Sequence, residues 1–298
     1  MRLHPDADPI GIWDEVPERG KRFAQEYQLR WWADLADMLA NCDAVCVASE
    51  NKRHAEHIEI CAAAGKHILC EKPLATTEEE AQRIENAVGG AGVKLLTAFP
   101  CRFSPAYQRL KERVRSGEIG AVRAVCATNR GQCPFGWFVE PEKSGGGAMM
   151  DHVVHVMDLL QDLLGERAVS VQAHANSEMY GQVWDDCALV TVTFPSGVFA
   201  TIDSSWSRPK SYKTWGDVTM NVIGDSGVIE MDMFGQYVQH YHSGPVSHTV
   251  AGYGIDMDSA LVNEFIRVCM GKPADTVTMM DGLDAARVSM KGYASLVG

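Results

Sequence analysis

Between Asp8 and Ala98 short apolar runs alternate with segments of helical periodicity, and this alternation narrows the available folds more than any other feature of the chain. Residues 8–14, 43–48, 67–70 and 93–98 have strand length and apolar character. Between them lie helical stretches at 17–24, opened by Pro17, at 35–40, at 52–65, ended by Gly65, and at 78–88, capped by Thr77 with acids in its first turn. Strands and helices alternating at this spacing imply a parallel sheet with helices on both faces.

Beyond Phe99 the rhythm changes. A helix is expected over 104–116, a strand over 122–128, and then a loop of glycines, prolines and aromatics to Gly147. A long helix follows over 148–164. Strand-like runs come next at 169–179, 188–194, 198–205, 217–223, 228–231 and 237–242, several separated by hairpin signals such as Pro195-Ser196-Gly197. Helices over 257–270 and 281–296 close the chain. With 298 residues, two domains are the better expectation: residues 1–100 as a doubly wound, Rossmann-like nucleotide-binding unit, and residues 101–298 as an α/β unit on a large open antiparallel sheet.

The chemistry concentrates at two places far apart in the chain. Glu71-Lys72-Pro73 follows the run 67–70, at the C-terminal end of a parallel strand, where doubly wound sheets bind ligands. The proline restricts the backbone of Lys72, and X-Pro is the class of bond in which a cis peptide is accessible. An amine beside a carboxylate at such a point can exchange a proton with a substrate hydroxyl while a hydride leaves the adjacent carbon. The second place is the helix after Gly145-Gly146-Gly147, where Asp151 and His155 are four apart on one face and Asp158 continues the stripe. A carboxylate orienting an imidazole is what acid/base chemistry requires. The bland alternative is a first-turn cap and a core histidine.

These motifs give the chain a resemblance from about Asp8 to Gly298. In order, Glu71-Lys72-Pro73, Arg102-Phe103-Ser104-Pro105, Gly145-Gly146-Gly147-Ala148 and Asp151, His155 and Asp158 resemble the glucose-fructose oxidoreductase / inositol dehydrogenase (Gfo/Idh/MocA) family. The resemblance implies a nicotinamide cofactor, Lys72 as proton donor or acceptor, and His155 with Asp151 on the substrate hydroxyls. It also implies Glu71 near the cofactor ribose, and Ser49, Asn51 and His54 in the turn after the run 43–48. Arg102 is expected to neutralise cofactor or substrate oxygens, with an ion pair at the interdomain turn as the structural alternative. Trp137 is a candidate platform for a sugar ring, and His152, an imidazole beside Asp151, a candidate substrate contact. Asp14, at the end of the first run, favours NAD over NADP, since a carboxylate hydrogen-bonds a ribose hydroxyl and repels a phosphate.

If the run ending at Asp14 is the ribose-binding strand, a glycine-rich phosphate loop is expected roughly 20 residues earlier, upstream of Met1. The expectation is therefore a nucleotide unit lacking its first strand and helix, which by itself binds dinucleotide poorly. Composition excludes other classes. A formal charge of −12 without a basic cluster argues against nucleic acid, no apolar run has the length to span a bilayer, and nine scattered cysteines without a Cys-x-x-Cys pair read as reduced thiols in a cytoplasmic protein. His152 with His155, and His240 with His242, are the arrangements nearest to a metal site, but they read as hydrogen-bond partners and no metal is expected. The expected function is hydride transfer between NAD(P) and a sugar or cyclitol by a homodimer or homotetramer. A glycosidase using NAD for transient oxidation and elimination is the first alternative, and a non-catalytic binding subunit the second.

Overall fold

A computed structural model of the chain describes residues 4–241, 248–252, 256–274 and 276–296. The N-terminal part holds helices α1 (Pro17–Glu26) and α2 (Leu35–Ala40), then strand β1 (Ala44–Val47), helix α3 (His54–Ala63), strand β2 (His67–Cys70), helix α4 (Glu78–Ala91) and strand β3 (Leu95–Thr97). The three strands form a parallel sheet in the order β1-β2-β3, with Val45 opposite Ile68 and Leu69 opposite Leu96. Thr77 and Glu80 form a reciprocal capping box that starts α4, satisfying amides no helical carbonyl can reach. Residues 8–14, expected as a strand, pair only through a single parallel bridge between Ile12 and Trp31. Gly11 has φ +156°, and a Cβ there would overlap the Arg30 carbonyl oxygen and the Trp32 ring.

The remainder contains α5 (Pro105–Arg115), β4 (Val122–Gly131), α6 (Pro141–Ser144), α7 (Ala148–Leu164), β5 (Ser170–Asn176), β6 (Cys187–Thr193), β7 (Phe199–Ser205), β8 (Gly216–Gly224) and β9 (Val228–Asp232). A hairpin of β10 (Tyr237–Tyr241) and β11 (His248–Gly252) and the helices α8 (Met257–Cys269) and α9 (Met279–Ser295) complete it. Six strands form one sheet in the order β5-β6-β7-β4-β8-β9. All its pairs are antiparallel except β4 with β7, so the sheet is mixed.

The main core lies between this sheet and α7 and α9. Met149, Val153, Val156, Met157 and Leu160 of α7 pack against Val190, Ala200, Ile202 and Val222, all sealed from solvent. The two parts of the chain interlock. Leu261 and Phe265 of α8 pack on Leu69 and Leu96 of the parallel sheet, and α9 reaches β3, where Leu96 bridges to Thr278.

Candidate active site

The C-terminal ends of β1 and β2 lie side by side because the strands are parallel and in register. β2 runs out at Cys70 into Glu71-Lys72-Pro73, where the Lys72–Pro73 peptide is cis. His54, fully buried at the start of α3, lies beneath this turn. Its Nδ1 is 2.8 Å from the Pro73 carbonyl oxygen and its Nε2 3.0 Å from that of Ser49, which ties the two strand ends together. Burial lowers the His54 pKa, so the ring is neutral and donates to one of the two carbonyls.

The second half of the site comes from α7. The first amides of a helix have no internal partner, and here the Asp185 carboxylate takes two of them, from Gly147 at 3.0 Å and Met149 at 2.7 Å. Tyr293 of α9 donates to the same carboxylate at 2.6 Å. A Cβ at Gly147 would overlap the Asp185 carbonyl oxygen, so this junction requires glycine.

One turn into α7, Asp151 meets Lys72. Lys72 Nζ is 2.5 Å from Asp151 Oδ1 and 3.2 Å from the Asp151 main-chain oxygen. The Trp206 indole donates to Asp151 Oδ2 at 3.2 Å, and His152 Nε2 is also 3.2 Å from that oxygen. Burial alone would push the Asp151 carboxyl up, but the Lys72 ammonium and then His152 more than offset it and hold the pKa well below the usual carboxylate range. His155, one turn on, packs edge-on against Phe99 at 5.7 Å between ring centres. Burial, then the charge of Lys72, lowers the His155 pKa well below the usual value and keeps the imidazole neutral. Its Nδ1 is buried without a partner, which leaves Nε2 as the nitrogen able to hold a proton toward a ligand.

Lys72, Asp151 and His155, expected together from their motifs, thus come together in space. Several other candidates are placed differently from the sequence expectation. Arg102 is enclosed in protein and makes two parallel hydrogen bonds to Asp158, at 2.8 and 2.7 Å, with Asp281 at 3.5 Å, so its guanidinium is committed to the interior rather than to a cofactor. His54 has both nitrogens against backbone carbonyls. His152 is buried with Nδ1 3.0 Å from the Asn129 carbonyl oxygen of β4. Asn51 is buried and donates to the Ser144 carbonyl at 2.8 Å, linking the turn after β1 to the loop before the glycines.

Asp14 accepts from the Val16 amide at 2.7 Å and from Arg19 Nε at 2.6 Å, and Arg19 also reaches Glu50 at 3.5 Å. Ser49 Oγ is 2.9 Å from His57 Nδ1. Glu71 is exposed at the end of β2, and the protein crowding around it raises its pKa despite Lys72. Trp137 is half-buried and stacks on Phe138 at 3.9 Å.

Trp206, Asp185 and Tyr293 were not anticipated. Trp206 stands at the end of a strand, and nothing in its local sequence connects it with Asp151, 55 residues earlier. His242 lies outside the described residues, and among the described residues no three His, Cys, Asp or Glu side chains form a metal-binding group. No helix is long and apolar enough to cross a membrane among the described residues. All nine cysteines are free thiols. A cavity of about 390 Å3 beside Thr76, Gly145, Arg287, Lys291 and Tyr293 contains none of Lys72, Asp151 and His155, and belongs to the groove between α4 and α9.

Comparison with known proteins adds an independent line. Residues 1–99 match a family model described as an oxidoreductase family with an NAD-binding Rossmann fold, and residues 107–230 match a GFO/IDH/MocA C-terminal domain. The chain is 31% identical to inositol 2-dehydrogenase of Rhizobium meliloti over 230 residues, 75% of this chain and 68% of that one. It is 30% identical to 2,7-anhydro-N-acetylneuraminate hydratase of Escherichia coli over 246 residues, 78% of this chain and 63% of that one. Against other curated relatives the matched stretch spans 57 to 66% of their length. Among solved structures, GenD2 from gentamicin A biosynthesis in complex with NAD superposes with a TM-score of 0.84, covering 97% of this chain and 86% of that one at 24% identity.

Proposed function

Because the chain belongs to the Gfo/Idh/MocA oxidoreductase family, we propose that it transfers a hydride between a nicotinamide cofactor and a sugar or cyclitol, with Lys72 moving the proton. The observation that carries this reading is the 2.5 Å contact between Lys72 and Asp151, with the neutral His155 on the next turn of the same helix. NAD(P), when bound, supplies the hydride acceptor or donor. Glu71, an open carboxylate at the end of β2, and Asp14 suit the two ribose ends of such a cofactor, and the Asp14 carboxylate favours NAD over NADP.

The chain's own residues do the rest. Lys72 in its amine form accepts the proton of the reacting hydroxyl, and Asp151 stabilises the ammonium that results. His155 presents Nε2–H to a neighbouring hydroxyl and fixes the ring's orientation. A polyhydroxylated ring offers adjacent oxygens to both groups, which a simple alcohol does not. Free thiols throughout agree with a reducing, cytoplasmic setting.

The test is NAD-dependent oxidation of a panel of cyclitols and sugars by the wild-type chain and by Lys72→Met. Turnover by the wild type that falls about 10²- to 10⁴-fold in the variant, with cofactor affinity retained, supports the assignment; full turnover in Lys72→Met removes Lys72 from the mechanism. A second reading, transient oxidation followed by elimination, uses the same residues and is motivated by the similarity to the anhydro-sugar hydratase. It is favoured if products change while NADH shows no net change.

A further inference from the structure

Strand β4 and helix α7 are joined by residues 132–147, a connection whose two ends both lie at the candidate site. At its start, a Cβ on Gly131 would lie 2.7 Å from His152 Cε1, and at its end Gly147 opens the helix that carries Asp151 and His155. Near that end the Ser144 carbonyl accepts from Asn51, which fastens the connection to the turn after β1. The segment therefore runs from the large sheet to the parallel one, beside the cleft in which Lys72 meets Asp151.

One residue of this segment has a backbone that its side chain makes costly. Phe135 has φ +53° and ψ −158°, a region that is essentially restricted to glycine because a Cβ there crowds the neighbouring backbone. Glycine at this position, before Gly136 at φ +60°, would fit without strain. Packing does not explain the phenyl group: it is 50% exposed and meets Tyr180 edge-on at 5.8 Å. Strained residues that persist cluster where a ligand is held, and loops on a rigid scaffold are where binding residues gather.

The Phe135 ring ends a file of aromatics that begins at the reacting groups. Trp206 donates to Asp151 Oδ2 at 3.2 Å, Trp184 lies 5.3 Å from Trp206, and Tyr180 lies 5.5 Å from Trp184. Exposure rises outward along the file, from the buried Trp206 and Trp184 through the half-buried Tyr180 to the open Phe135. An aromatic face takes the C–H face of a sugar ring or the face of another aromatic ring. We propose that Phe135 is a substrate-contact residue, the wall of an outer subsite that stacks on a second ring joined to the one undergoing hydride transfer, so that glycosides with a ring-shaped aglycone are preferred over free sugars and cyclitols. The inference rests on the reading of Lys72, Asp151 and His155 as the groups around the reacting ring. Three rings stand between Asp151 and Phe135, so Phe135 meets what the reacting ring carries and not the reacting ring itself.

Calorimetry on the whole chain, with NADH present so that a hydroxyl substrate binds without being oxidised, measures affinity for matched pairs, each a free sugar and its 4-nitrophenyl glycoside. At least one glycoside is expected to bind the wild type about three- to tenfold more tightly than its free sugar, and Phe135→Gly to erase that difference while leaving the free sugar's affinity unchanged. Phe135→Trp should keep it. A wild type without such a preference, or a Phe135→Gly chain that binds both members of a pair as before or loses both equally, overturns the proposal. Denaturation midpoints test the backbone premise. Phe135→Gly and Phe135→Ala both remove the ring, but only glycine suits the observed φ, so the glycine variant is expected to be the more stable of the two. An alanine variant of equal or higher midpoint, or a glycine variant that does not fold, overturns the proposal as well. Binding is read without turnover: a chain that selects glycosides through Phe135 yet reduces no NAD sinks the enzyme reading alone, and one that oxidises free sugars without this selection sinks the outer subsite alone.

Discussion

Three imidazoles lie in or beneath the cleft, and their partners give them three different roles. His155 is neutral and faces the ligand side, His54 is neutral and braces the turn at Pro73, and His152 ties α7 to the Asn129 carbonyl of β4. The two neutral rings make stability depend on pH. Their folded pKa values lie below the unfolded value of about 6.5, so below that value the unfolded chain binds more protons and folding is penalised. The stability they contribute is complete above pH about 6.5 and is lost as pH falls below it. The change in urea midpoint on going from pH about 7.5 to about 5.5, one unit either side, should be less favourable for the wild type than for His54→Gln; an equal change in both would remove His54 from the account. Asp158, whose pKa burial raises to about 7, and Glu71 and Asp258, whose pKa values are also raised, act in the opposite sense in both proteins and cancel from the difference. At this scale the sequence reveals Lys72, Asp151 and His155, because a strand-end motif and an i, i+4 pair are local patterns. Arg102, His54 and His152 are less legible: which acceptor satisfies a buried donor depends on residues distant in the chain, as with Asp158, 56 residues after Arg102.

Helix α7 carries half of the site, so whatever fixes its first turn fixes Asp151. That turn is held by Asp185, from the loop before β6, which accepts from Gly147 and Met149 and is itself held by Tyr293 from α9. Asp185→Ala leaves the Met149 amide and the Tyr293 hydroxyl without their acceptor, while the Gly147 amide keeps only the Tyr293 hydroxyl oxygen at 3.0 Å. Loss of a capping side chain costs about 1 to 2 kcal/mol, and the same order is expected from chemical denaturation, together with weaker turnover as Asp151 shifts from Lys72; Asp185→Asn, which keeps an acceptor oxygen, should recover most of both. A variant as stable as the wild type would show that the Gly147 turn holds itself. The elements most legible in the sequence are those with end signals, such as α4 after Thr77 and α7 between Gly147 and Gly165. Strand β11 was not anticipated, and residues 8–14 form a bridge rather than a strand. For both, the outcome depends on a pairing partner more than on an alternating pattern.

The molecule as a whole leaves one large surface uncovered. Helices α7 and α9 fill the inner face of the six-stranded sheet, while no described element lies on the other face. Register puts Thr193, Phe199, Ala124, Ile223 and Val228 in one row across that face and Leu189, Asp203, Thr128, Thr219 and Asp232 in another. Phe199 and Leu189 are each 48% exposed and Val228 54%, beside threonines, with the charges of Arg130, Asp203, Asp217 and Asp232 elsewhere on the same face. Such a surface is more apolar than a solvated sheet face requires, and a second copy of the same sheet is the simplest cover that symmetry offers. We therefore expect a homodimer, or a tetramer that contains this pair. The double variant Phe199→Glu and Leu189→Glu would place four like charges, two from each subunit, inside the proposed contact. Both side chains point away from the core, so the fold of each subunit should keep its denaturation midpoint within about 0.5 kcal/mol, while light scattering reports a drop from the assembled mass to that of the single chain. A wild type that is monomeric at micromolar concentration, or a variant that keeps its assembled mass, places the subunit contact elsewhere.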